Sequence, residues 1–406
     1  MKKALLILLL TTVSVSLFAE EEATEDKDIA VEEQVSEERI PEPFKLYNAI
    51  VPFIGNAPAT GFFGGVGLST GIFLGDPSTT NMSSAITSVS YSTKNQLNFL
   101  LKSNMFTSQN QWNLVGDWRL FFSSQDTFGL GTGPQLDNDQ ALETMGEGMD
   151  FNLVRFHETA SRQIIPGLYA GLGYHLDVYS NIRDNASTED YTGFHQEYSL
   201  RNGYDPTGYM MSGVSANLYY DTRDNVANPY QGRYAMASYR VMPEWLGNDN
   251  NGSTLWLEYR DYLRLQKSNP RHMIGLWTYG HFSYGTLPYM GLPSVGWDQM
   301  GRSGRGFAQG RFRGDHIYYA EIEYRFPIPF PWVKNNPDFL GGVLFTNVTT
   351  VADKHNGVDL FDYLEPAFGG GIRIMLQKES RANLNIDYAV RMDGTGALYI
   401  NINESF

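Results

Sequence analysis

Asp315-His316-Ile317-Tyr318-Tyr319-Ala320-Glu321-Ile322-Glu323-Tyr324-Arg325-Phe326 reads with a period of two. Asp315, Tyr319, Glu321, Glu323 and Arg325 fall on one face, and Tyr318, Ala320, Ile322, Tyr324 and Phe326 on the other, as in a strand with one polar and one apolar side. Residues 383–391 repeat the pattern, with Asn383, Asn385, Asp387 and Arg391 opposite Leu384, Ile386, Tyr388 and Val390. In a soluble sandwich the apolar faces would pack on a second sheet, with turns about every 8–12 residues. Here strands of about 10–14 residues, with Tyr, Phe and Trp near their ends, alternate between very short and very long connections. That is the pattern of an all-β transmembrane antiparallel β-barrel, with lipid outside, a polar lumen and aromatic girdles at the interfaces.

The composition agrees. The chain has 406 residues, 14% aromatic and 18% charged, with 41 Gly and no Cys. Without cysteine there is no disulfide scaffold, Cys zinc site, iron–sulfur cluster or lipid-modified cysteine. The formal charge of -15 and the low charge density exclude nucleic acid as a main partner. Beyond the N-terminus no run reaches the roughly 18 apolar residues of a spanning helix.

Lys2 and Lys3 precede the apolar stretch Ala4–Leu10, and Ser16-Leu17-Phe18-Ala19 places small residues for a cut after Ala19. Residues 1–19 are therefore expected to be a secretory signal peptide. Residues 20–39 hold ten acids against Lys27 and Arg39. Such a segment buries too little apolar surface to offset its ordering entropy, so 20–45 is expected to be an acidic disordered periplasmic tether. The barrel then occupies 46–406.

Strands are expected near 47–54, 62–74, 82–92, 95–107, 110–122, 149–162, 165–180, 209–221, 231–243, 252–266, 271–285, 315–326, 338–350, 364–376, 382–391 and 395–406, sixteen in all. The first contains Pro52 and is short, but parity requires it: with it, the long connections 123–148, 181–208 and 286–314 share one side.

Gly301-Arg302-Ser303-Gly304-Arg305-Gly306-Phe307, followed by Ala308 to Asp315, resembles the sixth external loop of the BamA/TamA superfamily of outer-membrane proteins. Tyr220-Asp221-Thr222-Arg223-Asp224-Asn225, with Pro229 and Gly232, is similar to that family's mid-barrel turn motif. Glu323-Tyr324-Arg325-Phe326-Pro327 is similar to the strand after the loop, and Leu398–Phe406, ending in an aromatic, to the C-terminal signal read during insertion. The resemblance covers about residues 47–406. It implies a sixteen-stranded barrel whose loop 6 folds into the lumen, with Arg305, Gly306 and Phe307 as its motif and Phe406 as the insertion signal. It also implies outer-membrane lipid and the barrel-insertion machinery as partners, and a protein or lipid substrate.

Three departures stand out. The 27 residues between Ala19 and Tyr47 leave no room for a POTRA domain. Gly304 replaces a β-branched residue before Arg305, which is expected to loosen the backbone. Asn347 stands where the family usually has an Asp facing the loop Arg, so Glu323 is expected to be the remaining anionic partner of Arg305, in a wet lumen.

No His has a second His at i+2 or i+4 for a metal, and no Gly-x-Ser-x-Gly elbow exists. His157 and Glu158 adjoin on a strand and face opposite sides. Glu321 and Glu323 share a face, but Arg325 continues their row, which reads as an ion-pair network instead of a general acid/base pair. Gly369-Gly370-Gly371 precedes a strand and is no phosphate loop, and the acidic loop 134–150 reads as solvated before it reads as a calcium site. No catalytic residue, cofactor or metal is expected. The function expected is insertion or translocation of a protein or lipid substrate at the outer membrane. The alternatives are a passive or gated channel and, behind it, a membrane-embedded enzyme.

Overall fold

The computed structural model describes residues 41–57, 61–133, 146–298, 301–329 and 339–406. The expected signal peptide, most of the tether and residues 134–145 of the acidic loop lie outside them.

Sixteen strands run in chain order. They are β1 (Tyr47–Ala57), β2 (Gly61–Ile72), β3 (Ser83–Ser92), β4 (Leu97–Phe106), β5 (Trp112–Thr127) and β6 (Glu147–Ile165). There follow β7 (Leu168–Asp184), β8 (Tyr209–Asp221), β9 (Gly232–Met242), β10 (Gly252–Arg264) and β11 (Met273–Gly285). The last five are β12 (His316–Pro327), β13 (Leu340–Ala352), β14 (Glu365–Gln377), β15 (Ala382–Arg391) and β16 (Gly396–Ile402). Each is antiparallel to its sequence neighbour, in one sheet ordered β1 to β16. The sheet is a nearly closed barrel of local hairpins, which needs no crossover.

The period of two sorts every strand. On β12, Tyr319, Glu321, Glu323 and Arg325 are buried inside, while Ile322 and Tyr324 point out. The outer surface carries Ile50, Leu172, Leu344 and Leu398, each more than half exposed. A continuous apolar exterior around a polar interior suits lipid and not water.

Two differences from the expected strands have physical causes. β5, β6 and β7 run to 16, 19 and 17 residues. The extension of β5, Ser123-Ser124-Gln125-Asp126, is polar on both faces, so the alternation that marks a lipid-facing strand disappears there although the ladder to β6 continues. β16 stops at Ile402. Asn403 takes a left-handed φ of 64° and the last residues turn into the lumen.

Connections after odd-numbered strands lie at one end and include 128–146, 185–208, 243–251 and 286–315. The other end carries the short turns, residues 41–46 and the C-terminus. At the long-loop end α1 (Phe194–Arg201) covers the β11–β12 loop: Tyr198 Oη donates to the Leu287 carbonyl and Tyr204 Oη to that of Thr286, both at 2.8 Å. Three connections at the short-turn end run to ten residues or more, 73–82, 222–231 and 328–339. Residues 222–231 reach the β14–β15 turn, where Asp224 pairs with Arg381 at 2.8 Å and Tyr230 lies 4.2 Å from its guanidinium.

Candidate functional site

The β11–β12 loop folds back inside the barrel. Val295 N donates to Phe312 O and Gly310 N to Val295 O, both at 2.9 Å, which pins the loop into a hairpin-like fold. Asp298 accepts from the backbone N–H groups of Gly301, Arg302 and Ser303 at 2.8–3.0 Å and shapes the approach to the motif. Gly304 has φ 77° and Gly306 φ 107°, where L side chains are strained. A Cβ at Gly304 would come within 2.3 Å of Val295, and one at Gly306 within 2.6 Å of the Ala367 side chain. Gly304 is thus a required turn position and not a source of looseness. A β-branched residue could adopt neither its φ nor its space.

Arg305, 2% exposed, reaches three carboxylates. Its Nη2 contacts Glu321 at 2.5 Å and also Glu323, and its Nη1 contacts Asp387 at 2.8 Å. The guanidinium also lies 3.5 Å from the Phe345 ring centre. The expectation of Glu323 as sole anionic partner is corrected: Glu321, one step along the same face, and Asp387, from β15, complete the set. Two further arginines extend the network. Arg325 pairs with Glu323 at 2.6 Å, and Arg373 joins Asp387 at 2.5 Å to Glu404 at 2.8 Å. Gly369 and Gly371 make room for it, since Cβ atoms there would meet Phe345 and Asp387 at 2.2 and 1.9 Å.

Asn347 does not touch the guanidinium. Its Nδ2 donates to the Arg305 carbonyl at 2.9 Å, a bond that an ionised Asp could not make. Tyr399 of β16 accepts from Gly306 N at 2.8 Å and donates to Phe307 O at 2.9 Å. The backbone of the Arg-Gly-Phe motif is therefore satisfied from β13 and β16, as a buried loop requires.

A second arginine of the loop grips the chain end. Arg302 donates to the carbonyls of Ile402, Asn403 and Glu404 at 2.5, 2.6 and 2.7 Å. Asn403 Nδ2 then reaches Ser69 of β2 at 3.2 Å, on the inner face of the barrel. Phe406 lies in the lumen, 2% exposed, with its ring centre 5.4 Å from that of Trp277 and its carbonyl accepting from Arg325 at 3.1 Å. It is not at the outer end of a strand, where its pattern with Leu398 and Ile400 would put it. Among the described residues β1 and β16 exchange no ladder pairs, so the seam between first and last strands is unzipped.

The turn motif is a buried clasp. Asp221 accepts from Arg223 N at 3.0 Å and from its guanidinium at 2.9 and 2.7 Å, while Asp224 makes the Arg381 pair described above.

The histidines form no base-and-nucleophile set. His175 Nδ1 faces Arg240 Nη2 at 3.0 Å, and since arginine only donates, Nδ1 accepts and Nε2–H donates to Ser215 at 2.8 Å. That polarity leaves the Ser215 proton in place. Glu158, beside His157, points outward to Trp118 Nε1 at 2.7 Å. In the cap, burial followed by the Arg313 charge pushes His195 down to about 4, so it stays neutral at physiological pH.

Arg302, Asp387, Arg373, Glu404 and Tyr399 were missed by sequence reasoning. Asp387 and Arg373 do sit on polar faces of alternating strands, but only the register across β12 to β16 shows that they converge.

Residues 73–406 match the Omp85 superfamily domain. The chain belongs to the Omp85 superfamily. Similar solved structures of this fold include BamA from Haemophilus ducreyi lacking POTRA domains 1–3 (15% identity, TM-score 0.52, covering 88% of this chain and 69% of that one). CdiB from Acinetobacter baumannii (13%, 0.50, 88% and 59%) and CdiB from Escherichia coli (10%, 0.50, 89% and 61%) are also similar. This Omp85 barrel thus spans about three fifths of each CdiB chain. No curated protein sequence matches it.

Proposed function

We propose that this Omp85 barrel inserts or translocates a protein or lipid substrate at the bacterial outer membrane, and that the seam between β1 and β16 is where the substrate is handled. The observation that carries the reading is the unzipped seam, with the end of β16 drawn inward by Arg302 and its neighbours. In lipid, backbone N–H and C=O groups on a strand edge are costly unless paired, so an open edge is a template for an incoming extended segment. A channel is the weaker reading, because the β11–β12 loop fills the long-loop side of the lumen and turn 222–231 and the tail occupy the other. Outer-membrane lipid and the barrel-insertion machinery are the partners this reading requires.

Because the chain has no cysteine, a Ser69→Cys/Asn403→Cys pair gives an unambiguous lock across the 3.2 Å contact. Cells relying on the locked variant should show an altered outer-membrane protein and lipid profile that reductant restores. A normal profile in the locked state would refute the seam reading. Orientation is checked separately: an epitope tag near Asn248, in a β9–β10 loop at the long-loop end, should label on intact cells, and one near Asn269, in the β10–β11 turn, should not. The reverse pattern would invert the barrel.

A further inference from the structure

Residues 185–208 join β7 to β8 at the long-loop end, and α1 is the part of them that covers the β11–β12 loop. The helix is tied down at its start and beyond its end. Glu147 of β6 accepts from Phe194 N at 2.8 Å and from the Tyr191 hydroxyl, and Asp184 of β7 accepts from Gln196 N at 3.4 Å. Tyr198 and Tyr204 make the two bonds to loop carbonyls described above.

Between these ties α1 buries His195 and Ser199, each 0% exposed. The His195 ring stands edge-on to Tyr289 of the loop, 5.5 Å between ring centres, and the Arg313 guanidinium lies 5.0 Å from the centre of that same Tyr289 ring. His195 Nε2 meets Tyr209 Oη of β8 at 3.3 Å, while Nδ1 is buried without a protein partner. Tyr198 packs on Tyr289, and Tyr179 of β7 and Tyr204 pack on Tyr209. The groups around the imidazole are therefore tyrosines and one arginine. Arg313 donates to the Tyr289 and Leu292 carbonyls and pairs with no carboxylate among the described residues, and Glu147 and Asp184 are engaged at the start of the helix. A neutral imidazole fits this place. An imidazolium carries an N–H on both nitrogens, so Nδ1–H would be a buried donor without an acceptor, with a guanidinium nearby and no anion to offset either charge.

We propose that His195 is an acid-sensitive latch, whose protonation lifts α1 from the β11–β12 loop and uncovers the long-loop end of the lumen. In the closed cap, burial and then the Arg313 charge hold the imidazole at about 4, whereas in water it returns to its ordinary 6.5. The open form therefore takes up the proton first. Acid drives opening from roughly pH 6.5 down to about 4 and adds nothing below, a shift in the open-to-closed ratio of at most on the order of a few hundredfold. With the orientation proposed above, the signal is acidity outside the cell. The latch itself is tested on purified protein, where orientation plays no part.

The test uses the full chain refolded in detergent and exploits its lack of cysteine. Ser199→Cys reports from beneath the cap, and Leu200→Cys, exposed on the same helix, is the reference. The ratio of their rates with dithiodipyridine, which modifies thiols in acid, cancels the pH dependence of the thiol chemistry. That ratio is expected to rise at least about tenfold from pH 7.5 to 4, and to be flat with pH, whatever its level, once His195→Gln is added. Glu147→Gln should keep the rise, because the carboxylates acid would also neutralise at this cap are not the latch. A ratio independent of pH, an equal rise with His195→Gln, or loss of the rise with Glu147→Gln would overturn the proposal. So would a parallel rise at Ser161→Cys, buried on β6 toward the opposite end of the lumen, since it would report loosening of the whole barrel. If His195→Gln does not refold, His195→Asn is judged by the same criterion.

Discussion

Arg305→Ala is expected to destabilise the folded barrel by roughly 3–5 kcal/mol, the full cost of breaking a buried ion pair. A wet lumen would screen the site and reduce the loss, but Arg305, Glu321, Glu323 and Asp387 have side-chain exposures of 0–2%, so water does not compensate. The three acids are not equivalent once the guanidinium is gone. Glu323 keeps Arg325 and Asp387 keeps Arg373. Glu321 retains only the Tyr319 hydroxyl, at 2.5 Å. Coupling in double-mutant cycles should therefore be largest for Arg305 with Glu321, at about 1–3 kcal/mol, and smaller with Glu323 or Asp387. Adding Glu321→Gln to Arg305→Ala should recover part of the loss, because it removes the stranded charge. Thermal melting of refolded protein and gel heat-modifiability give the measurement. Additive effects, or stronger coupling to Glu323, would show that the three-acid cradle is not what holds the loop.

Deleting Phe406 should remove the heat-modifiable barrel from outer-membrane fractions, with the chain accumulating in the periplasm and being degraded. Two separable causes meet in this residue. The terminal aromatic is the feature that insertion machinery is expected to read in the unfolded chain. In the folded barrel the ring packs on Trp277 and Tyr262 and lies 5.2 Å from the Arg325 guanidinium. Phe406→Ala should accordingly cost about 3–5 kcal/mol in protein refolded without any machinery, as for other buried Phe→Ala changes. Unchanged melting of that variant would show that the lumen contacts add nothing, and an unchanged membrane level after the deletion would remove the signal role.

Fold class and strand order were legible because the solvent writes them locally. A strand between lipid and a polar lumen must alternate, and Tyr318 to Phe326 alternate whatever their neighbours do. The same rule fails where lipid ends, which is why the outer end of β5 was not seen. The Arg-Gly-Phe loop and Glu323 as one partner were legible only through the family resemblance of the loop and of the strand that follows it.

What binds to what inside the lumen was decided only by tertiary structure. Asp387 lies 82 residues from Arg305, and Arg302 grips carbonyls 100–102 residues away. Neither spacing carries a local signal, because barrel closure and register bring those strands together. Asn347 stands at a carboxylate position of the motif, yet its amide donates to the Arg305 carbonyl, a role set by orientation and not by residue type. Sixteen hairpin-linked strands follow from the alternation of side chains alone, because period-two hydrophobicity acts residue by residue. The inward turn at Asn403 and the open seam depend instead on contacts that exist only once β16 is near β2 and the loop lies inside the barrel.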